Sequence, residues 1–140
     1  MKITSHNGHD LIIQSRDHCD PHVHIKSPNW DVRLRFSFWK DDVEYWDTRP
    51  VRNKPAAALI ESLRRALMDP QALRRARREW WRAMGSTCVE NKQWILTQEV
   101  VSDVENYEDP SLRIIKSSFD NAHNRTLLIL ENGDEVEIEL

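Results

Sequence analysis

The chain has 140 residues, with 39% hydrophobic and 31% charged side chains and a formal net charge of −3. This suits one domain or two small modules that can bury a modest core, and no apolar run is long enough to cross a bilayer. Six tryptophans are many for this length, and each buried indole removes much apolar area from water.

Charge is unevenly spread. Residues 1–53 carry 8 basic and 8 acidic side chains, residues 54–84 carry 8 and 3, and residues 85–140 carry 4 and 12. The balances are therefore 0, +5 and −8. A basic middle segment can meet phosphate or an acidic protein; an acidic segment in the same chain can cover it or face a basic partner. Two cysteines, Cys19 and Cys88, lack CxxC spacing and suggest free thiols in a reducing compartment. The N-terminal MKITSHNGHD has no apolar h-region, so a cytoplasmic setting is expected.

Residues 1–53 read as an antiparallel β-meander. His22-Val23-His24-Ile25 after Pro21 starts a strand, and Pro28-Asn29 marks a turn. Val32, Leu34, Phe36 and Phe38 alternate with Arg33, Arg35 and Ser37, the period of a half-buried strand. Val43 to Trp46 is the next strand, and Arg49 to Pro55 leads into the helices.

Residues 56–84 read as two packed helices. Ala56, Ile60, Leu63 and Leu67 form one stripe. Asp69-Pro70 then breaks the chain and restarts it, with Asp as N-cap and Pro in the first turn. Leu73, Ala76, Trp80 and Met84 form the second stripe, and Gly85 stops the helix. Arg74, Arg75, Arg78 and Arg82 gather on another face.

Residues 92–101 fit strand or helix equally. Leu112 to Ser118 reads as a strand. Leu127–Leu130 and Val136–Leu140 flank Asn132-Gly133, the signature of a type I′ hairpin. The expected fold is α+β: an N-terminal meander, two helices, and a C-terminal β-hairpin or three-stranded unit. The expected modules are residues 1–84, with the histidine-rich turn, and 85–140, acidic and β-rich.

Asp17-His18-Cys19-Asp20-Pro21-His22-Val23-His24 is the cluster that bears chemistry. On a strand, His22 and His24 share a face, with His18 across the turn. Converging imidazoles suit a divalent transition metal such as zinc, with Cys19 or a nearby carboxylate completing the shell. The same residues also fit purely structural hydrogen bonding, or a ribonuclease-like acid–base pair with an arginine on the phosphate. Arg74, Arg75, Arg78 and Arg82, joined by Arg33 and Arg35, fit a phosphate-binding patch or a solvated face paired with the chain's own carboxylates. Glu131, Asp134, Glu135, Glu137 and Glu139 form a carboxylate row that protects an edge strand or docks a basic partner.

The histidine cluster resembles the His-x-Pro-Pro-His-Phe-His signature of a bacterial family known as domain of unknown function four-one-six-zero. His18, Pro21, His22 and His24 match; Asp20 replaces the first proline and Val23 the aromatic. The resemblance runs from the N-terminus to about Trp81. Residues 112–140, with Leu-x-x-x-x-Asn-Gly-Asp-x-Val, are similar to a second unknown-function family often encoded beside the first. Such neighbours are commonly proposed as toxin–antitoxin partners, so the resemblance implies a fused pair and supplies no established catalytic residue. Three functions are consistent with all this. The first is a non-enzymatic binding or regulatory protein of toxin–antitoxin or mobile-element type. The second is a phage-type inhibitor of a host defence nucleoprotein complex, and the third is a metal- or histidine-dependent nuclease-like hydrolase. The partners they imply are a protein, a nucleic acid or a second copy of the chain, with no membrane.

Overall fold

A computed structural model describes residues 1–103 and 109–140, which form an α+β fold in two compact units. One unit comprises residues 1–37 and 41–85, the other residues 38–40 and 86–140.

The first unit opens with five strands: β1 (Lys2–His6), β2 (His9–Ile12), β3 (His22–Ser27), β4 (Trp30–Phe36) and β5 (Val43–Arg49). They pair in chain order as an antiparallel meander. The β1–β2 turn is Asn7-Gly8, with φ of 49° and 80° and His6 opposite His9. Two positive φ angles in a two-residue loop match the right-handed twist of the strands.

Period-2 alternation then sorts the side chains. Val23, Ile25, Val32, Leu34 and Phe36 are buried; Phe38, beyond the end of β4, is buried too and belongs to the second unit. Their intervening neighbours point to the opposite face of the sheet.

The α1 helix (Ala57–Met68) buries Ile60, Leu63 and Leu67; Ala56 is the N-cap rather than part of the stripe. Helix α2 (Pro70–Met84) buries Leu73, Ala76 and Trp80. The Asp69 carboxylate accepts from the Ala72 amide at 3.1 Å, satisfying one orphan donor of the first turn. Gly85 closes α2 with a φ of 62°. Both helices lie against β1, and α1 also lies against β5.

Two buried residues of α2 are charged, Arg77 and Glu79, and Arg77 is the deeper. Arg77 donates to the Ser37 carbonyl at 2.9 Å and to Asp41 at 3.0 Å. Its spacing from Leu73 and Trp80 places it on the apolar stripe, where a guanidinium must find acceptors.

The second unit is a five-stranded antiparallel sheet, larger than the hairpin or three-stranded unit that the sequence suggested. Its strands are β6 (Gln93–Ile95), β7 (Val100–Ser102), β8 (Ser111–Asp120), β9 (Arg125–Leu130) and β10 (Glu135–Glu139). Their order is β10-β9-β8-β6-β7, so the ambiguous segment 92–101 resolves into two short strands. Val89, Trp94, Ile114, Leu128 and Leu130 form the core, with Trp39, Val136 and Ile138 packed on it.

The β9–β10 turn departs from expectation. Gly133 alone has positive φ, 90°, and its amide bonds the Leu130 carbonyl at 2.8 Å. This is not a type I′ turn, because four residues separate the paired strands and Gly133 absorbs the reversal alone.

The expected free thiols are also corrected: Cys19 and Cys88 are both disulfide-bonded. Separation in sequence sets no limit on a bridge, which depends on Cα distance in the fold. The argument from thiols to a reducing compartment therefore lapses. Among the described residues, no helix is long and apolar enough to cross a membrane.

Candidate metal centre

Pro21 leads the chain into β3, so that His22 opens the strand and His24 follows two residues later on the same face. Val23 and Ile25 take the core side. The two imidazoles meet, with Nε2 atoms 3.2 Å apart.

Each ring is oriented through its other nitrogen. His22 Nδ1 lies 2.7 Å from the Asp20 carbonyl oxygen, which can only accept, so Nδ1 carries the proton. His24 Nδ1 lies 3.3 Å from both Asp31 carboxylate oxygens and donates there. In the neutral rings both Nε2 atoms therefore carry lone pairs.

A third acceptor faces them. Asp17, on the β2–β3 connection, places Oδ1 3.0 Å from His22 Nε2 and Oδ2 3.1 Å from His24 Nε2. Two ring nitrogens and two carboxylate oxygens at these distances repel unless a proton or a cation lies among them.

Burial works against a proton on His22. It pushes the His22 pKa down, and the nearby His24 and Arg33 charges act the same way. The Asp20 carbonyl and the Asp17 charge pull in the opposite direction but are outweighed.

The same three residues, each offering one ligand atom, could hold a metal ion. At zinc–ligand distances of about 2.0–2.2 Å, two ligands of a tetrahedral ion lie about 3.3 Å apart. Asp31 on His24 and the Asp20 carbonyl on His22 are the outer partners that fix ligand tautomers at metal sites.

The walls come from neighbouring strands. His22 pairs in register with Arg35, and His24 with Arg33. The β4–β5 register shifts between Arg33, opposite Asp47, and Leu34, opposite Tyr45. Trp46 is thus the extra residue of a bulge, a device that re-aims a side chain. Its ring lies 5.0 Å from that of His22, and the Arg33 guanidinium stacks on it at 4.2 Å. Arg33 is buried and bonds Asp47 through two nitrogens, Nε at 2.7 Å. On the other side, the buried Trp80 ring lies 5.4 Å from His22.

Of the residues expected from sequence, His22 and His24 converge, while His18 stands at the edge. Its side chain is exposed, its Nδ1 bonds the Cys19 carbonyl at 3.0 Å, and its ring lies 5.7 Å from that of His22. Cys19, once a candidate ligand, is disulfide-bonded and offers no thiolate. Asp17 is the carboxylate that takes part, and its place five residues before His22 was the available signal. Asp31 gave no local signal, since only strand pairing brings it to His24.

The arginines divide by element. Arg33 and Arg35 flank Trp46 on the sheet, and Arg35 pairs with Glu44 at 3.0 Å and Asp20 at 3.7 Å. On α2, Arg75 donates to the Ile3 carbonyl at 2.9 Å, while Arg78 and Arg82 reach Glu79 at 3.4 and 3.8 Å. Arg74 is exposed.

The acidic row at Glu131, Asp134, Glu135, Glu137 and Glu139 is exposed on and before β10. Glu137 pairs with Arg125 at 3.3 Å and Glu131 with Arg113 at 3.9 Å.

No family model, curated protein or solved structure matches the chain.

Proposed function

We propose that the N-terminal unit is a metal-binding module holding one divalent transition ion, with zinc the best chemical fit, and that the protein works as a small binding or regulatory protein. The observation that carries this reading is the meeting of the His22 and His24 Nε2 lone pairs with the Asp17 carboxylate, at 3.0 to 3.2 Å.

Charge agrees. With neutral imidazoles, the carboxylates of Asp17 and Asp31 lie against the two rings, while Asp47 is engaged by Arg33 and, at 3.9 Å, by Arg49, so the charge in contact with the imidazoles is negative and favours a cation. Side-chain exposure of only 0% at His22, 10% at His24 and 7% at Asp17 leaves little room for a polymer phosphodiester to reach the ion. Binding is therefore favoured over the nuclease-like reading. The toxin–antitoxin or mobile-element setting rests on the family resemblance.

The test is native mass spectrometry of tag-free protein before and after chelator. One ion per chain is expected, lost in His22→Ala and in Asp17→Asn. The second variant lies on the loop and keeps the result readable if the buried change unfolds the chain. Folded wild-type protein with no ion, after incubation with zinc, would end the reading.

A second reading has its own support. Arg74, Arg78 and Arg82 keep exposed positions along α2. They fit an anionic partner whose affinity falls with salt. If reversing these charges left nucleic-acid affinity and its salt slope unchanged, that reading would be removed.

A further inference from the structure

We infer that His18 joins Asp17, His22 and His24 as the fourth protein ligand of the bound ion, making the centre a closed structural site. The inference rests on the metal-binding reading above and specifies what kind of site it is.

A three-ligand zinc shell keeps one position for water and belongs to catalytic sites; a four-ligand shell is structural. His18 is the group placed to decide between them. Its ring centroid lies 5.7 Å from that of His22, little farther than the 4.9 Å separating His22 from His24, whose Nε2 atoms already touch.

Both His18 and His22 approach the Trp46 ring at 82°, with centroids 6.4 and 5.0 Å from it, so they flank the same wall. The Cys19 carbonyl holds the His18 proton on Nδ1. Nε2 is then the ligating atom, as in the other two rings. The side chain is exposed, so an inward shift of the ring that keeps Nδ1 within reach of the Cys19 carbonyl requires no repacking of the core.

Ligation by His18 pairs two adjacent residues of the β2–β3 connection with two residues of β3. The ion then clasps that connection to the sheet face and keeps no position for activating water. This is the behaviour of a metal-stabilised binding module.

The experiment uses the full chain loaded with cobalt(II), compared with His18→Ala and His18→Gln. Proton spectra in water should show hyperfine-shifted, exchangeable Nδ1–H lines from His18, His22 and His24, with one line lost in either variant. Chelator competition should show affinity at least about tenfold weaker in the variants, the lower bound for loss of an outer partner. Azide should leave the wild-type visible spectrum unchanged and shift that of His18→Ala. Two imidazole lines in the wild type, unchanged affinity in the variants and an azide-sensitive wild-type spectrum would overturn the closed site while leaving the metal reading intact. Failure of the wild type to take up cobalt would overturn both.

Discussion

Asp31 accepts from His24 Nδ1 with both carboxylate oxygens, each 3.3 Å away. The contact crosses from β4 to β3 and makes His24 Nε2 an electron donor. Asp31→Asn keeps the size of the side chain and removes the charge. Metal affinity should fall about 10- to 100-fold, read by chelator competition, with little change in fold. Unchanged affinity would show that the tautomer is set by something else.

Arg33 and Asp47 make the second charged contact beside the centre. The Arg33 hydrogen bonds hold the Asp47 carboxyl below the usual carboxylate range, against the opposing effect of burial. The folded state therefore binds this proton less readily than the unfolded chain. The stabilisation is fully present above the unfolded pKa of about 3.9 and is lost as pH falls through the lower folded value. In metal-free protein, the gap in urea midpoint between wild type and Asp47→Asn should hold from pH 7 to pH 5 and shrink towards pH 2. A gap that does not change with pH would argue against the pair.

Arg77 is 1% exposed and supports the Ser37 carbonyl, whereas its partner Asp41 has a side chain 60% exposed and can return to water. Arg77→Ala should cost about 2–4 kcal/mol, mainly from the cavity and the orphaned carbonyl. Arg77→Met fills the space and should cost about 1–3 kcal/mol, leaving chiefly the missing donor. Equal costs for the two variants, measured by denaturant unfolding, would show that volume plays no part.

Gly8 has a φ of 80° and open space where a Cβ would stand, so substitution there meets backbone strain without a clash. Gly8→Ala should cost about 1–2 kcal/mol, and Gly8→Asn less, because Asn tolerates the left-handed region. Thermal unfolding checks the order of the two.

The chain contains Asn-Gly twice, and the two copies behave differently. Asn7-Gly8 forms the type I′ turn, whereas Asn132-Gly133 bends through glycine alone. The dipeptide permits positive φ at both positions, but loop length and strand register decide whether it is used.

The sequence by itself determined the two helices, the central strands of the meander and half of the centre. Period 2 placed His22 and His24 on one face, and Asp69-Pro70 and Gly85 bounded α2, because these are local constraints on backbone and side-chain direction. Tertiary structure alone decided the rest. Asp31 reaches His24 through strand pairing, Trp46 faces His22 through a bulge, and Arg77 finds Ser37 across 40 residues. Pairing register and long-range burial depend on how the whole chain satisfies its polar groups at once, and no local pattern of residues encodes that.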